Sequence, residues 1–463
     1  MSKGFTSVQQ LFRVTATNPE FELDRVLAEF AAQENYDILL VVDFPITQYW
    51  TDEKETIALT AIYRLQRGAN IDSLLLSVVP TRLLATSFTP EHVASWLSDI
   101  KFPTFDLHAP IPLQPIAIPK PWGQEIWYTG IERRGVAEVG AANKKIPLPW
   151  LLQAAPTRLL GNAAEPILLK ILDPLPEPVF GDLYFELHQK KQEVYVVTAV
   201  DARAWPSGEG AIRFGFDPVI RNRYSDDGAF LADYFAAVRG YRLVRVGVDG
   251  LLDDIRAREG VGLNDPLSAQ TLKEWLAEIP EALHIEEREL RAAMERFTLL
   301  RPLKVGDVVK VPCLLPHSLQ HGVRSVEFQT PVYERLILSF AQKVLTQAEW
   351  DIDASAELLQ LDPPAPEPFP VLAQDQGWIE ERIVNFDNFE VRRISIEPHA
   401  STKLAIEQGY GLGIVVGGEL LIGEHAFAPD QGVLLPRGLN AVLQNRGASM
   451  AYFLLALPLN SGG

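Results

Sequence analysis

The chain has 463 residues, with 42 basic and 60 acidic side chains and a net charge of −18. That length exceeds one core and predicts about two to four domains, while the 47% hydrophobic content is ordinary for a globular protein. The acidic balance, with no basic cluster interleaved with aromatics, excludes nucleic acid as a partner, and no apolar run reaches membrane-spanning length. Cys313 is the one cysteine, so intrachain disulfides and thiolate zinc clusters are excluded. Within the apolar VPCLLP it reads as a small core residue. The first residues, MSKGFTSVQQLFRVTA, lack the apolar core of a signal peptide, and a reducing, cytoplasmic location is expected.

In chain order, residues 1–110 read as a small α/β module. Pro19 to Gln33 carries apolar residues at Phe21, Leu23, Val26, Leu27 and Phe30, a helical spacing. Tyr36 to Phe44 and Ser73 to Pro80 are apolar runs of strand length, and a helix is expected from Thr89 with Pro90 at its first position. Ala109 to Trp122 is proline-rich, which opposes both a helix and a central strand.

The middle module, 118–362, is rich in strand patterns: Trp122 to Trp127, Leu183 to His188, Glu193 to Val200, Asp307 to Val311 and Arg324 to Gln329. A helical insertion occupies about 226–300, where Pro266 to Ile279 and Ile285 to Phe297 have helical periodicity. Asp362 to Val371 is a stiff proline connector. From 371 to 463, short strand patterns punctuated by Gly, Pro and Asn predict an all-β barrel or sandwich.

The chemistry-bearing pattern lies in the middle module. Residues two apart on a strand share a face, so Glu186 and His188 point the same way, and a turn at Gln189-Lys190-Lys191 returns Glu193 to them. A strand and proline-flanked turn, Pro312 to His317, deliver a second histidine. Two histidines with carboxylates are the usual ligands of a catalytic divalent metal. Lys170 lies in an apolar run, where a lysine is costly unless its charge is used. By spacing alone Arg335 fits a structural ion pair and an anion ligand equally, His321, four residues past His317, fits a supporting or surface role better than that of an alternate ligand, and Glu327 and Gln329 fit ordinary strand residues.

Glu186-x-His188-x4-Glu193 followed by Gly306 and Pro312-x-Leu314-x-x-His317 resembles the two-part motif of cupin barrels. Glu186 replaces a histidine, and Leu314 replaces a glycine and should avoid positive φ. KPWGQEIW (120–127), PILLKILD (166–173) and GDVVKVPCLLPHSLQHGVRSVEFQ (306–329) further resemble segments of type I phosphomannose isomerases, over roughly 118–460. That resemblance implies a mainly β fold of two jelly-roll barrels, with a helical insertion and the N-terminal α/β module added. It implies metal ligands at Glu186, His188, Glu193 and His317, active-site roles for Trp122, Lys170, Lys191 and Arg335, and a sugar-phosphate substrate. Zinc suits this donor set best, with manganese and iron as alternatives. In the second barrel Gly432, Pro436 and Gly438 persist, but Ala441 takes the ligand position, so that barrel is expected to be metal-free, with His399 and His425 in turn and surface positions.

The implied reaction interconverts mannose 6-phosphate and fructose 6-phosphate through an enediolate, with Lys191, Lys170 and Glu193 as alternative proton carriers. The altered loop after His188 and the added charge of Glu186 keep open a non-catalytic sugar-binding or regulatory cupin, and the lack of a recognisable phosphate-binding loop in the sequence keeps open an isomerase of an unphosphorylated sugar. Oligomeric state is not legible from the sequence.

Overall fold

The computed structural model describes residues 10–68, 71–84, 89, 102–263, 265 and 267–459. The fold is mainly β, with several sheets. Its contacts divide the chain into two compact units: 1–116, 127–169 and 369–463 form one, and 117–126 with 170–368 form the other. Residues 127–169, which chain order places in the middle module, fall in the first unit.

In the first unit, the N-terminal strand Gln10–Thr15 runs parallel to Tyr36–Thr47, joined by the helix Pro19–Glu29. A parallel pair needs such a crossover. The Asn18 side chain accepts from the Phe21 amide, and Pro19 opens the helix. Leu23, Val26 and Phe30 are buried, whereas Phe21 of the expected stripe is exposed. Antiparallel strands Thr56–Gly68, Ile71–Pro80 and Phe105–Asp106 complete the sheet. The helix expected from Thr89 falls in 90–101, outside the described residues.

The first unit also holds a nine-stranded sheet. Its order is Lys144–Pro147, Glu138–Ala141, Ile111–Gln114, Gly432–Leu435, Gly411–Gly417, Ala451–Pro458, Phe389–Ile396, Trp378–Asn385 and Val371–Asp375. Ile111–Gln114 corrects the expectation that 109–122 holds no central strand. This strand is central, paired with Gly432–Leu435 on one side and Glu138–Ala141 on the other. It is short, and Pro112 is its one interior proline, so only one ladder amide is lost. A four-stranded sheet of 401–405, 440–445, 420–422 and 425–427 packs against the long sheet through an apolar cluster that includes Ile394, Leu404, Val415, Phe427, Val433 and Phe453. His399 sits in a turn at φ 64° and His425 is exposed.

The second unit is a sandwich. One sheet orders Val308–Val311, Glu193–Val200, Val323–Gln329, Leu168–Pro174, Gly123–Trp127 and Ile116–Lys120. The other orders Thr298–Leu303, Gly210–Phe216, His317–Leu319, Phe185–Leu187 and Leu336–Ser339. Tyr195, Val197 and Val309 of the first meet Leu187, Ile212 and Leu319 of the second in one apolar cluster. Gly123 is required where it stands: at φ 144°, an added Cβ would lie 2.4 Å from the Asp173 carbonyl oxygen.

The helical insertion contains Asp227–Glu259, Ala269–Leu276 and Glu281–Glu295. The 33-residue first helix has no counterpart among the helices expected from periodicity. Its buried residues, Phe230, Tyr234, Val238, Tyr241, Val244 and Val248, recur every three or four positions, but Gly240, Gly247 and Gly250 interrupt the propensity signal. Asp226 caps its start, and Gly260 at φ 68° ends it. No helix among the described residues is long and apolar enough to cross a membrane.

Candidate metal centre

The centre lies inside the sandwich of the second unit. Strand Phe185–Leu187 carries Glu186 and ends beside His188, and Glu193 opens the next strand of the facing sheet. The intervening turn is held by Glu334, whose carboxylate accepts from the amides of Gln189 and Lys190. His317 starts its own strand directly opposite Glu186.

His188, Glu193 and His317 each turn one ligand atom into a common point, all within 4.8 Å of one another. His317 Nε2 lies 2.7 Å from Glu193 Oε1, and His188 Nε2 lies 3.2 Å from that same oxygen. Glu186 Oε1 is 3.7 Å from His188 Nε2. The Leu315 carbonyl accepts at 3.0 Å from His317 Nδ1, which leaves Nε2 of a neutral ring with its lone pair facing a carboxylate. Two acceptors face each other stably only if a proton or a cation lies between them. Neither ring nitrogen of buried His188 has a hydrogen-bond partner among the described residues. Burial and the Lys191 ammonium hold the His188 pKa below its usual value, so its ring is neutral and ligand-ready. Burial works to raise the Glu193 pKa, but Lys191, His188 and His317 hold it well below the usual range. The donor set, its burial and its unsatisfied ring nitrogens fit a divalent metal, with Glu186 able to add a fourth oxygen.

Leu314 corrects one expectation. It adopts φ 66°, the left-handed region that it was expected to avoid. Hydrogen bonds fix both its flanks: its amide donates to the His188 carbonyl at 2.7 Å, and its carbonyl accepts from Gln360 at 2.9 Å. A bulky residue there costs about 1–2 kcal/mol, which these bonds offset while holding His188 against the His317 turn. Cys313 is also corrected: it is half-buried, with its thiol 3.8 Å from the Lys191 carbonyl oxygen.

Lys191 Nζ contacts Glu193 Oε2 at 2.9 Å, and the Tyr195 hydroxyl donates to Glu193 Oε1 at 2.7 Å. Arg335 stacks over Tyr184, with 4.6 Å from its guanidinium carbon to the ring centre, and donates to the Thr346 hydroxyl. Its Nη1 lies 3.9 Å from Glu186 Oε2. Burial works to raise the Glu186 pKa, but Arg335 and His188 keep it lowered. Lys170 Nζ lies 3.2 Å from Glu327 and 3.8 Å from Glu125, and Lys120 reaches Glu125 at 3.3 Å. Burial works to lower the Lys170 pKa, but Glu125, Glu327 and Glu193 outweigh it and hold the ammonium protonated. Trp122 is placed differently from its neighbours in the motif: it is buried in the sandwich core, its indole Nε1 without a partner among the described residues.

Glu327, which sequence reasoning read as an ordinary strand residue, is almost completely buried. Burial and the Glu193 charge push its carboxyl pKa up to about 8, although Lys170 and Lys191 pull it down. The signal was present in VRSVEFQ. Ser325, Glu327 and Gln329 alternate on one strand face, yet all three are buried, so the sandwich has a polar interior there. Glu125 lay within the quoted KPWGQEIW and was also passed over. His321 forms a separate set, with Nδ1 2.6 Å from Asp182 and its ring stacked on Trp205 at 4.7 Å.

No protein-family model and no curated protein matches the chain. Solved structures do. The mannose 6-phosphate isomerase of Bacillus subtilis superposes with a TM-score of 0.51 at 13% identity, covering 75% of this chain and 99% of that one. At that identity the likeness is one of fold. A mutant phosphomannose isomerase of Salmonella typhimurium (TM-score 0.48, 13% identity, 76% and 99% covered) and a mannose 6-phosphate isomerase bound with zinc and yttrium (0.47, 13%, 75% and 99%) are also similar.

Proposed function

We propose that this chain is a metal-dependent aldose–ketose isomerase that interconverts mannose 6-phosphate and fructose 6-phosphate. Its sandwich is read as the catalytic cupin barrel and the C-terminal sheet pair as a second, metal-free one. The observation that carries the reading is the buried meeting of His188, Glu193 and His317, ringed by Lys191, Lys170 and Arg335. The fold shared with an isomerase of this activity supports it.

His188, Glu193, His317 and Glu186 would hold the ion, zinc by donor type; when bound, it supplies positive charge to the oxygens of a developing enediolate. The chain's own residues divide the remaining work. Glu193 is committed to its contacts with His317, Tyr195 and Lys191, and so acts as ligand rather than base. Lys170, clasped by carboxylates, keeps its proton and acts as a fixed positive charge. Lys191, which contacts the single carboxylate Glu193 rather than the two that clasp Lys170, is assigned the proton transfer between C1 and C2, for which it must first give up its own proton. Arg335 offers a planar fork for paired hydrogen bonds to phosphate or enediolate oxygens.

The test is turnover with a panel of aldoses and their 6-phosphates, before and after chelation. Conversion of mannose 6-phosphate, lost on chelation and restored by zinc, is expected. A protein that binds metal yet converts no sugar phosphate would overturn the reading in favour of a sugar-binding role. Conversion of free sugars alone would correct the substrate.

A further inference from the structure

A second cavity lies within the same unit, between the helical insertion and the segments around 178–180 and 341–345. Its volume is about 200 Å³, and none of the eight residues assigned above to the metal centre or catalysis lines it. Phe180, Val248, Leu252, Leu272, Leu276 and Leu345 make most of its wall apolar. A cavity of about 150 Å³ is enough for a benzene ring.

Set into this apolar wall are four cations: Arg245, Arg256, Arg291 and Lys343. Two are neutralised. Arg245 donates twice to Asp249, at 3.0 and 2.8 Å, and Lys343 reaches both oxygens of Asp253 at 2.8 Å. The others are not matched in this way. Arg256, only 4% exposed, spends Nη1 on two neutral carbonyls, of Gly262 and Asp265, each at 2.8 Å. Its single ion-pair contact among the described residues is Asp253 at 3.9 Å, a carboxylate that Lys343 already occupies. Arg291 pairs with Glu287 at 3.4 Å, but its buried Nε makes no hydrogen bond; Glu287, the one carboxylate lining the cavity, also accepts from the Tyr241 hydroxyl and lies 3.8 Å from Arg245. A buried guanidinium without a hydrogen-bonded carboxylate is costly, and an anion entering the cavity would repay that cost.

We propose that this cavity binds a small carboxylate bearing an aromatic or branched apolar group, of about the size of phenylacetate, with its anionic end received by Arg256 and Arg291. The apolar wall supplies affinity for the ring; the two guanidiniums select the charge. A bare anion would leave the apolar wall unfilled, and a neutral ring would leave Arg256 unmatched.

Calorimetric titration of the full chain with phenylacetate, 2-phenylethanol, acetate and inorganic phosphate tests this. Phenylacetate is expected to bind saturably, at least about tenfold tighter than the other three. Arg256→Gln should weaken phenylacetate about tenfold or more and leave 2-phenylethanol unchanged, and Leu276→Trp, which fills the cavity from its rim, should weaken both. Binding should persist in His317→Ala, which separates it from the metal centre. Circular dichroism confirms folding; if Arg256→Gln does not fold, Arg291→Gln takes its place. Failure of phenylacetate to bind, binding indifferent to the cavity variants, or binding lost in His317→Ala would each overturn the proposal.

Discussion

The chain contains two sheet pairs that end a strand on the same turn. In one, Pro312, Leu314 and His317 stand at the same spacing as Pro436, Gly438 and Ala441 in the other. The backbones agree: Leu314 has φ 66° and Gly438 φ 84°, and the amide of each donates at 2.7 Å, to His188 and to Ile406 respectively. The interiors differ. Around His317 the core admits Glu193, Glu327, Lys170 and Lys191, all almost completely buried. The core of the other pair is mainly apolar, with Asn445 buried among it and tied to the Ile396 carbonyl. The turn is therefore a framework device, independent of chemistry. What distinguishes a reactive sandwich from an inert one is which strand faces carry charge inward.

The largest effect that would break this comparison is on metal content. Purified protein should carry about one divalent ion per chain, and His188→Ala and His317→Ala should reduce this to near zero by elemental analysis. Ala441→His should gain none, because among the described residues no group of metal-ligating side chains converges there. Retained metal in both alanine variants, or a second ion in Ala441→His, would mean that the turn and not the interior decides.

Next in size is turnover. Lys191→Ala and Arg335→Ala should lower kcat on mannose 6-phosphate by about 10²-fold or more with metal content unchanged. Arg335→Lys should remain impaired, because the charge survives but the fork does not. Wild-type rates in all three variants would remove these residues from the mechanism.

The apolar pair answers to stability instead. Phe453→Ala should cost about 3–5 kcal/mol in denaturant unfolding, without altering the metal content of the folded fraction.

The polar interior should also leave a pH signature. The Glu327 carboxyl is raised in the fold from an ordinary 4.5 to about 8. The folded state thus holds a proton that the unfolded chain releases. The associated stability is fully present below pH 4.5 and is lost as pH rises towards 8. In chelated protein, Glu327→Gln should flatten the decline of Tm across that window. An unchanged slope would show that Glu327 is ionised throughout.

The smallest effect sharpens the likeness of the two turns. Leu314→Gly should be more stable than Leu314→Ala by about 1 kcal/mol, since only glycine enters positive φ freely. Equal stabilities would mean that the Leu314 backbone relaxes on truncation.

The ligand cluster was legible because it is local in sequence: Glu186, His188 and Glu193 span one hairpin-like turn, and His317 follows a proline-marked strand. Its surroundings were less so. Glu327 and Glu125 become meaningful only when both faces of their strands are known to be buried, which is a fact of sheet stacking and not of alternation. Ile111–Gln114 was obscured by Pro112 and the prolines that flank it, and one of its two partners lies some 300 residues away. The Asp227–Glu259 helix keeps a regular apolar stripe, but its glycines mask it.

Ile111–Gln114 carries a consequence for synthesis. Its neighbour in the sheet, Gly432–Leu435, follows it by more than 300 residues and is made that much later. Throughout translation of the intervening residues that strand presents an unsatisfied edge, with Ile111 and Leu113 ready to pair with a neighbouring chain. Closing so long a loop is slow, so a nascent or truncated chain ending near 368 would be the aggregation-prone species, and it is there that a holding chaperone would act.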